Sequence, residues 1–232
     1  SRGFLGAEPL LGVDADDAPL VYYEALDDAT LEGLRQARDL GATQVLASRR
    51  ALDDPFAALE LYREAAGLGS LAAYLQIASL YSTLASVPLE NLRGNPQLLR
   101  RVSGIRPTAA LSAFGWLMAG LRDGGPVIAD PVLVDWAQRL FAQLPENQRS
   151  AACELSERFL LQVAGLRRNN GLPPFPDSRP PVFLSVPALD EALPCGDTRF
   201  PFYTMLDTGD CLAEPAIDGS GRERLLYVCD SD

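Results

Sequence analysis

The sequence contains neither histidine nor lysine, so all 20 of its basic residues are arginine. Those two absences remove whole classes of chemistry. No Ser-His-Asp or Cys-His nucleophile pair can be assembled, no imidazole can ligate zinc, no lysine can form a Schiff base, and no phosphate-binding loop can end in its lysine. Arginine without lysine is the ordinary signature of a GC-rich genome, a plainer reading than selection for a task. No stretch approaches the roughly 20 consecutive apolar residues of a bilayer-spanning helix. Cysteines spaced C-x-x-C are absent too, which argues against a zinc ribbon or a thioredoxin-like dithiol. Positive charge is in the minority, with 31 acidic residues leaving a net charge of −11. Such a chain is repelled by phosphate backbones and anionic lipid surfaces, so neither nucleic acid nor a membrane span is expected. A basic protein surface is its natural electrostatic complement, although solubility alone accounts for the excess acid.

What remains is a globular composition. With 232 residues, 47% of them hydrophobic, the chain can bury a substantial core as one domain, or as a domain with an appendage. Cys153, Cys195, Cys211 and Cys229 form an even set with three pairings open. Ser1 stands where methionine would start a chain, which reads as a trimmed end or as a mature end left after removal of a signal. The second reading, with a lipid anchor as a variant of it, joins the four cysteines in favouring two disulfides and an oxidising compartment.

Asp54 to Tyr81 (DPFAALELYREAAGLGSLAAYLQIASLY) organises the chain. Ala58, Leu61, Tyr62, Ala65 and Ala66 recur at i, i+3, i+4, i+7 and i+8, one apolar face at helical period. Asp54-Pro55 supplies a cap followed by proline at the first helical position. Gly69 can take the left-handed conformation that closes this helix, and Ser70 can cap the next, along which Ala73, Ile77 and Tyr81 keep the period. The stretch resembles a Sel-one-like repeat, a relative of the tetratricopeptide repeat. Ala58, Tyr62, Ala65, Ala66, Gly69, Ser70, Ala73, Ile77 and Tyr81 match the family pattern in register and without a gap. Leu61 stands where the family often has tryptophan, and Ala78 where glycine is usual. The resemblance covers 28 of 232 residues. It implies a mainly α fold of stacked antiparallel helix pairs, an α-solenoid, that binds other proteins and carries no chemistry of its own.

Three regions follow along the chain. Residues 1–26 read as an acidic, loop-like extension broken by Gly3, Gly6, Pro9, Gly12 and Pro19. Its Asp14, Asp16 and Asp17 lack the glycine and distal glutamate of a calcium loop. Residues 27–168 form the helical repeat domain. Asp28 to Asp53 reads as a degenerate earlier copy at an offset of 28, placing Arg35, Ala37, Leu40 and Gly41 over Arg63, Ala65, Leu68 and Gly69. Arg49 and Arg50 fall where the pattern wants apolar residues. Later helices are expected from Pro107 to Leu121, with Ala113, Trp116 and Leu117 at repeat spacing, from Asp130-Pro131 to Leu144, and from Pro145 to about Leu166. Six or seven helices result, in an antiparallel right-handed stack. Residues 169–232 comprise a proline-rich crossing and a short C-terminal β-hairpin, expected between Arg199–Leu206 and Arg224–Cys229 and tied to the last helices by a disulfide.

Tempting motifs resolve into turns and faces. Asp207-Thr208-Gly209 imitates an aspartic-protease signature, but eleven residues to Asp218 cannot hold the intervening lobe that separates two proton-sharing carboxylates. Glu154 and Glu157 offer a carboxylate pair, with Arg158 beside them marking a solvated helix face. No catalytic residue, metal or cofactor is expected. Arg93, Arg100, Arg101 and Arg106 form the one basic stretch, with no acid between Glu90 and Asp123. Arg93, Arg100 and Arg101 are therefore candidates to grip an acidic partner, with Tyr74 at the rim of a concave surface and Tyr62 either there or, the stronger reading, buried between repeats. The expected partner is one protein. Proteins that look like this include periplasmic scaffolds of polysaccharide secretion and immunity proteins that block lipase toxins of type VI secretion. An Asp/Glu-dependent hydrolase is the alternative from another class.

Overall fold

The computed structural model describes residues 20–124, 131–172, 193–195, 211–217 and 223–229. The chain is mainly helical. The elements are α1 (Leu20–Glu24), α2 (Asp28–Gln36), α3 (Leu40–Arg50), α4 (Pro55–Leu68), α5 (Leu71–Ser86), a 3-10 turn (Leu89–Leu92), α6 (Pro96–Gly124), α7 (Pro131–Gln143) and α8 (Glu146–Asn169). Two strands, β1 (Cys211–Ile217) and β2 (Glu223–Cys229), pair antiparallel with Cys211 opposite Cys229. The expected strand Arg199–Leu206 and the aspartate motifs at Asp207 and Asp218 lie outside the described residues, as do residues 1–19.

Side-chain caps explain where the helices begin. Asp27, Asp39, Asp54, Ser70 and Asn95 accept from the backbone N–H three residues on, at Thr30, Ala42, Ala57, Ala73 and Leu98. Each satisfies one of the orphan donors of a first turn. Proline follows the cap at Pro55 and Pro96, where its missing N–H costs nothing.

The first helix pair corrects the expected repeat offset. Gly69 (φ 121) closes α4, with Gly69 N–H bonded to Ala66 C=O and Ser70 N–H to Ala65 C=O. The same pair of bonds ends α2, from Arg38 N–H to Arg35 C=O and from Asp39 N–H to Leu34 C=O. There the left-handed residue is Arg38 (φ 65), and Gly41 lies inside α3. Arg38 therefore matches Gly69 and Asp39 matches Ser70, an offset of 31 where glycine-to-glycine alignment gives 28. At 31, Leu31, Leu46 and Ala47 fall on Tyr62, Ile77 and Ala78, and all six are buried.

A second correction concerns α6. It starts at Pro96 and runs through Pro107 for 29 residues, not from Pro107. Asn95-Pro96 is the start signal, built like Asp54-Pro55. Pro107 and Ser103, whose carbonyl loses its i+4 donor, are both exposed, so the unmade bond faces solvent. Ala113, Trp116 and Leu117 are buried within this one helix and do not open a further repeat.

Most of α6 beyond Val102 lies in the core. Trp116 stacks on Phe159 of α8 (centroids 4.3 Å apart, 16° between planes) and meets Tyr74 of α5 at 5.8 Å. Each such pair adds about 0.5–1.5 kcal/mol beyond area burial. The helices α2 to α6 pack each on the next, save that a 3-10 turn intervenes before α6, and α7 packs on α6. Helix α8 then crosses back over α6 and α4. Its Arg167 donates to the Gly67 carbonyl (3.1 Å), and Leu166 lies 3.0 Å from where a Cβ on Gly67 would stand. The stack is thus strapped across its own side by its last helix.

Candidate functional site

The residues of the repeat pattern are helix-crossing residues. Ala58, Tyr62, Ala65, Ala66, Ala73 and Ile77 are buried, as is Gly69 at the turn. Burial raises the Tyr62 phenol above its ordinary value, against a smaller opposing effect of the Ser48 hydrogen bond. Tyr81 is half-buried and accepts from Arg63 Nη2 at 2.7 Å. Small side chains at the crossing bring the two backbones together.

Tyr74 is not on a rim. It is 1% exposed, packed between α5 and the Trp116 ring of α6. The long α6 covers the face of α5 that the sequence left open.

The four arginines separate. Arg101 turns toward α4, with its guanidinium 3.9 Å from the Phe56 ring centroid and 3.6 Å from the Asp54 carboxylate. Half-exposed, this pair contributes at most about 1 kcal/mol. Arg93 and Arg100 are exposed, with no ion pair or side-chain hydrogen bond among the described residues. Arg106 is half-buried on another side of α6. Only Arg93 and Arg100 stay available to a partner. Arg49 and Arg50, which broke the apolar pattern, close the N-terminal end. Both reach Asp28 (2.6 and 3.3 Å), and Arg49 also donates to the Glu24 and Leu26 carbonyls.

The carboxylate pair does not converge on a cleft. Glu154 and Glu157 are exposed, and Glu157 sits 3.6 Å from Arg122. Arg122 is 5% exposed and donates to Ser156 Oγ at 2.9 Å. Desolvation lowers its pKa, partly opposed by Glu157. Among the described residues no three His, Cys, Asp or Glu side chains gather as for a metal, and no helix is long and apolar enough to cross a membrane. Cys153 on α8 is joined to Cys195, which fixes the chain beyond the helices to the middle of α8. Leu193, 4% exposed, enters the core beside it.

One surface feature escaped the sequence reading. An open groove of about 450 Å³ lies between α5, α6 and α7. Ser79, Ser82, Thr83 and Ser86 form one wall, Trp136 and Gln143 the other, and no charged residue lines it. The signal was present. All of Leu71–Ser86 is free of charge, and its hydroxyls repeat at i, i+3, i+4 and i+7. In a chain of net charge −11, such a neutral face stands apart. Helix α8 covers α4 and α6, whereas no other described element lies over this face.

No protein-family model, curated protein or solved structure matches this chain.

Proposed function

We propose that the chain is a protein-binding module exported to a bacterial periplasm, most concretely an immunity-type inhibitor that seats on one toxic, lipase-type partner and blocks it. The observation that carries this reading is the division of labour among side chains. Every residue of the repeat pattern except the half-buried Tyr81 is buried in helix–helix contact, while the neutral α5–α7 groove and the exposed Arg93 and Arg100 are left facing outward. A preorganised helical surface of this kind binds without first ordering itself, so little affinity is lost to entropy. The Sel-one-like resemblance supports the class of task, and the Cys153–Cys195 bond supports an oxidising compartment. The C-terminal hairpin is an appendage that begins sixteen residues after Cys195, the residue this bond fastens to the helical domain.

Neutralisation tests the proposal. Mixed one to one with the toxin encoded beside it, the protein abolishes the toxin's hydrolytic activity; activity that survives a large excess removes the inhibitor reading. Capture from a periplasmic extract that returns subunits of an envelope assembly instead would replace it with a scaffold.

A further inference from the structure

We infer that Cys211 and Cys229 form a second disulfide that closes the C-terminal hairpin, independent of the bond at Cys153. Two observations lead there. Cys153 takes Cys195 as its partner, which leaves Cys211 and Cys229. The strand register then sets these two directly opposite each other, with Leu212 opposite Val228 and Ile217 opposite Glu223 at the far end of the ladder. Directly opposed residues of an antiparallel pair have Cα atoms roughly 4.5 or 5.5 Å apart, according to the hydrogen-bonding position. Disulfides span Cα separations of about 4.4–6.8 Å, so either position suits one. A slip of one residue would set Cys211 against a different neighbour and turn the two cysteines to opposite faces. The juxtaposition is therefore a property of this register.

Its place in the hairpin gives the bond a task. Cys211 opens β1 and Cys229 ends β2, so the pair lies at one end of the ladder, with the Ile217–Glu223 pair at the other. An isolated two-stranded hairpin is marginal in water, and a covalent clasp at the open end removes the splayed conformations. The chemistry balances by exchange. One cysteine thiolate attacks a disulfide-bearing oxidant and expels a thiolate, leaving a mixed disulfide. The second cysteine thiolate attacks the first cysteine's sulfur in that mixed disulfide and expels the other half of the oxidant as a thiolate. The two cysteines lose two electrons and two protons, and the oxidant is reduced to two thiols.

The arrangement makes a simple test possible. With no lysine in the chain, trypsin cuts only after arginine (except at Arg106-Pro107 and Arg179-Pro180), placing the four cysteines on peptides 150–158, 169–199, 200–222 and 225–232. The full-length protein, oxidised in a glutathione buffer and alkylated before digestion, is expected to yield 200–222 joined to 225–232, and 150–158 joined to 169–199. Both pairs separate on reduction. In a C211S variant, Cys229 becomes fully alkylatable while 150–158 stays joined to 169–199. Alkylated Cys211 and Cys229 in the oxidised parent, or 200–222 joined to either upstream peptide, overturns the assignment. Capture of Cys229 by Cys153 or Cys195 in C211S overturns the independence of the two bonds.

Discussion

Ser70 is the residue on which the register between the two helix pairs turns, and replacing it with alanine gives the sharpest test of the packing argument. Its side chain is fully buried, and its Oγ accepts twice, from Ala73 N–H at 3.0 Å and from Gln44 Nε2 at 2.8 Å. The first bond caps α5, and loss of such a cap costs about 1 kcal/mol. The second joins α3 to α5. Gln44 is 7% exposed and its Oε1 has no protein partner, so S70A leaves the whole amide stranded in the core. A buried polar group without a partner costs about 1–3 kcal/mol. S70A should therefore lose about 2–4 kcal/mol in urea unfolding. Replacing Gln44 by methionine removes the amide at similar volume. Q44M alone should cost less than S70A, because Ser70 still caps α5. The double variant S70A/Q44M should recover about 1–3 kcal/mol relative to S70A, since only the cap is then missing. A double-mutant cycle with unchanged m-values measures that coupling. An S70A loss under 0.5 kcal/mol, or no recovery in the double variant, would refute the claim that this contact sets the stacking.

Other outcomes follow from the same structure. C153S removes a cross-link between residues 42 apart in sequence, worth about 4 kcal/mol in the chain-entropy account; thermal melts of variant and parent check it, and an unchanged Tm would refute it. R100E should leave stability within about 0.5 kcal/mol yet weaken partner binding in a salt-dependent way. R101E should instead disturb folding at α4, where Arg101 faces Asp54 and Phe56; equal binding losses without that difference would show that the two arginines share one surface. Desolvation first, then the Asp39 hydrogen bond, raises the Tyr23 phenol, and burial raises Tyr62. Both folded values lie above the ordinary 10.0. Their stabilisation is intact below that pH and is lost as pH climbs through the folded values, so Y23F should flatten the alkaline limb of a stability–pH curve. Asp27 and Glu32 are held low, by the Thr30 backbone bond and by Arg35 respectively. Their contribution is present above the ordinary 3.8 and 4.5 and fades as pH falls through the folded values. D27N should lose that acid sensitivity.

Legibility divided along physical lines. Asp54-Pro55, Gly69 and Ser70 act through bonds to their own near neighbours, and helices α4 and α5 fall where those residues place them. The earlier pair was misaligned because its left-handed turn residue is Arg38, which no composition rule marks, while Gly41 supplied a false anchor. Pro107 misled for a related reason. Proline starts helices more often than it interrupts them, and the true start at Asn95-Pro96 lay eleven residues upstream. Tyr74 was misplaced by a nonlocal effect. Leu71–Ser86 is apolar nearly all round, so periodicity cannot say which face a later helix will cover. The groove followed from the same indifference: its hydroxyls mark a neutral face of the helix but not which later helix leaves that face uncovered.

The course of α8 decides what kind of binder this fold can be. In an open solenoid each helix pair contacts only its neighbours and both ends remain free to extend. Here α8 reaches back over α6 and α4, inserting Phe159 against Trp116 and docking Arg167 on the Gly67 carbonyl. A Cβ at Gly115 would stand 3.0 Å from Phe159, so the approach depends on that glycine as much as on the rings. Cys153 sits on the same helix, which lets one bond tie the C-terminal chain to the strap and not to the repeats themselves. The side crossed by α8 is thereby covered, whereas no α8 residue lines the groove between α5 and α7, which carries no charge to repel an acidic or a basic surface. Docking of the proposed partner there would leave the two helix pairs undisturbed.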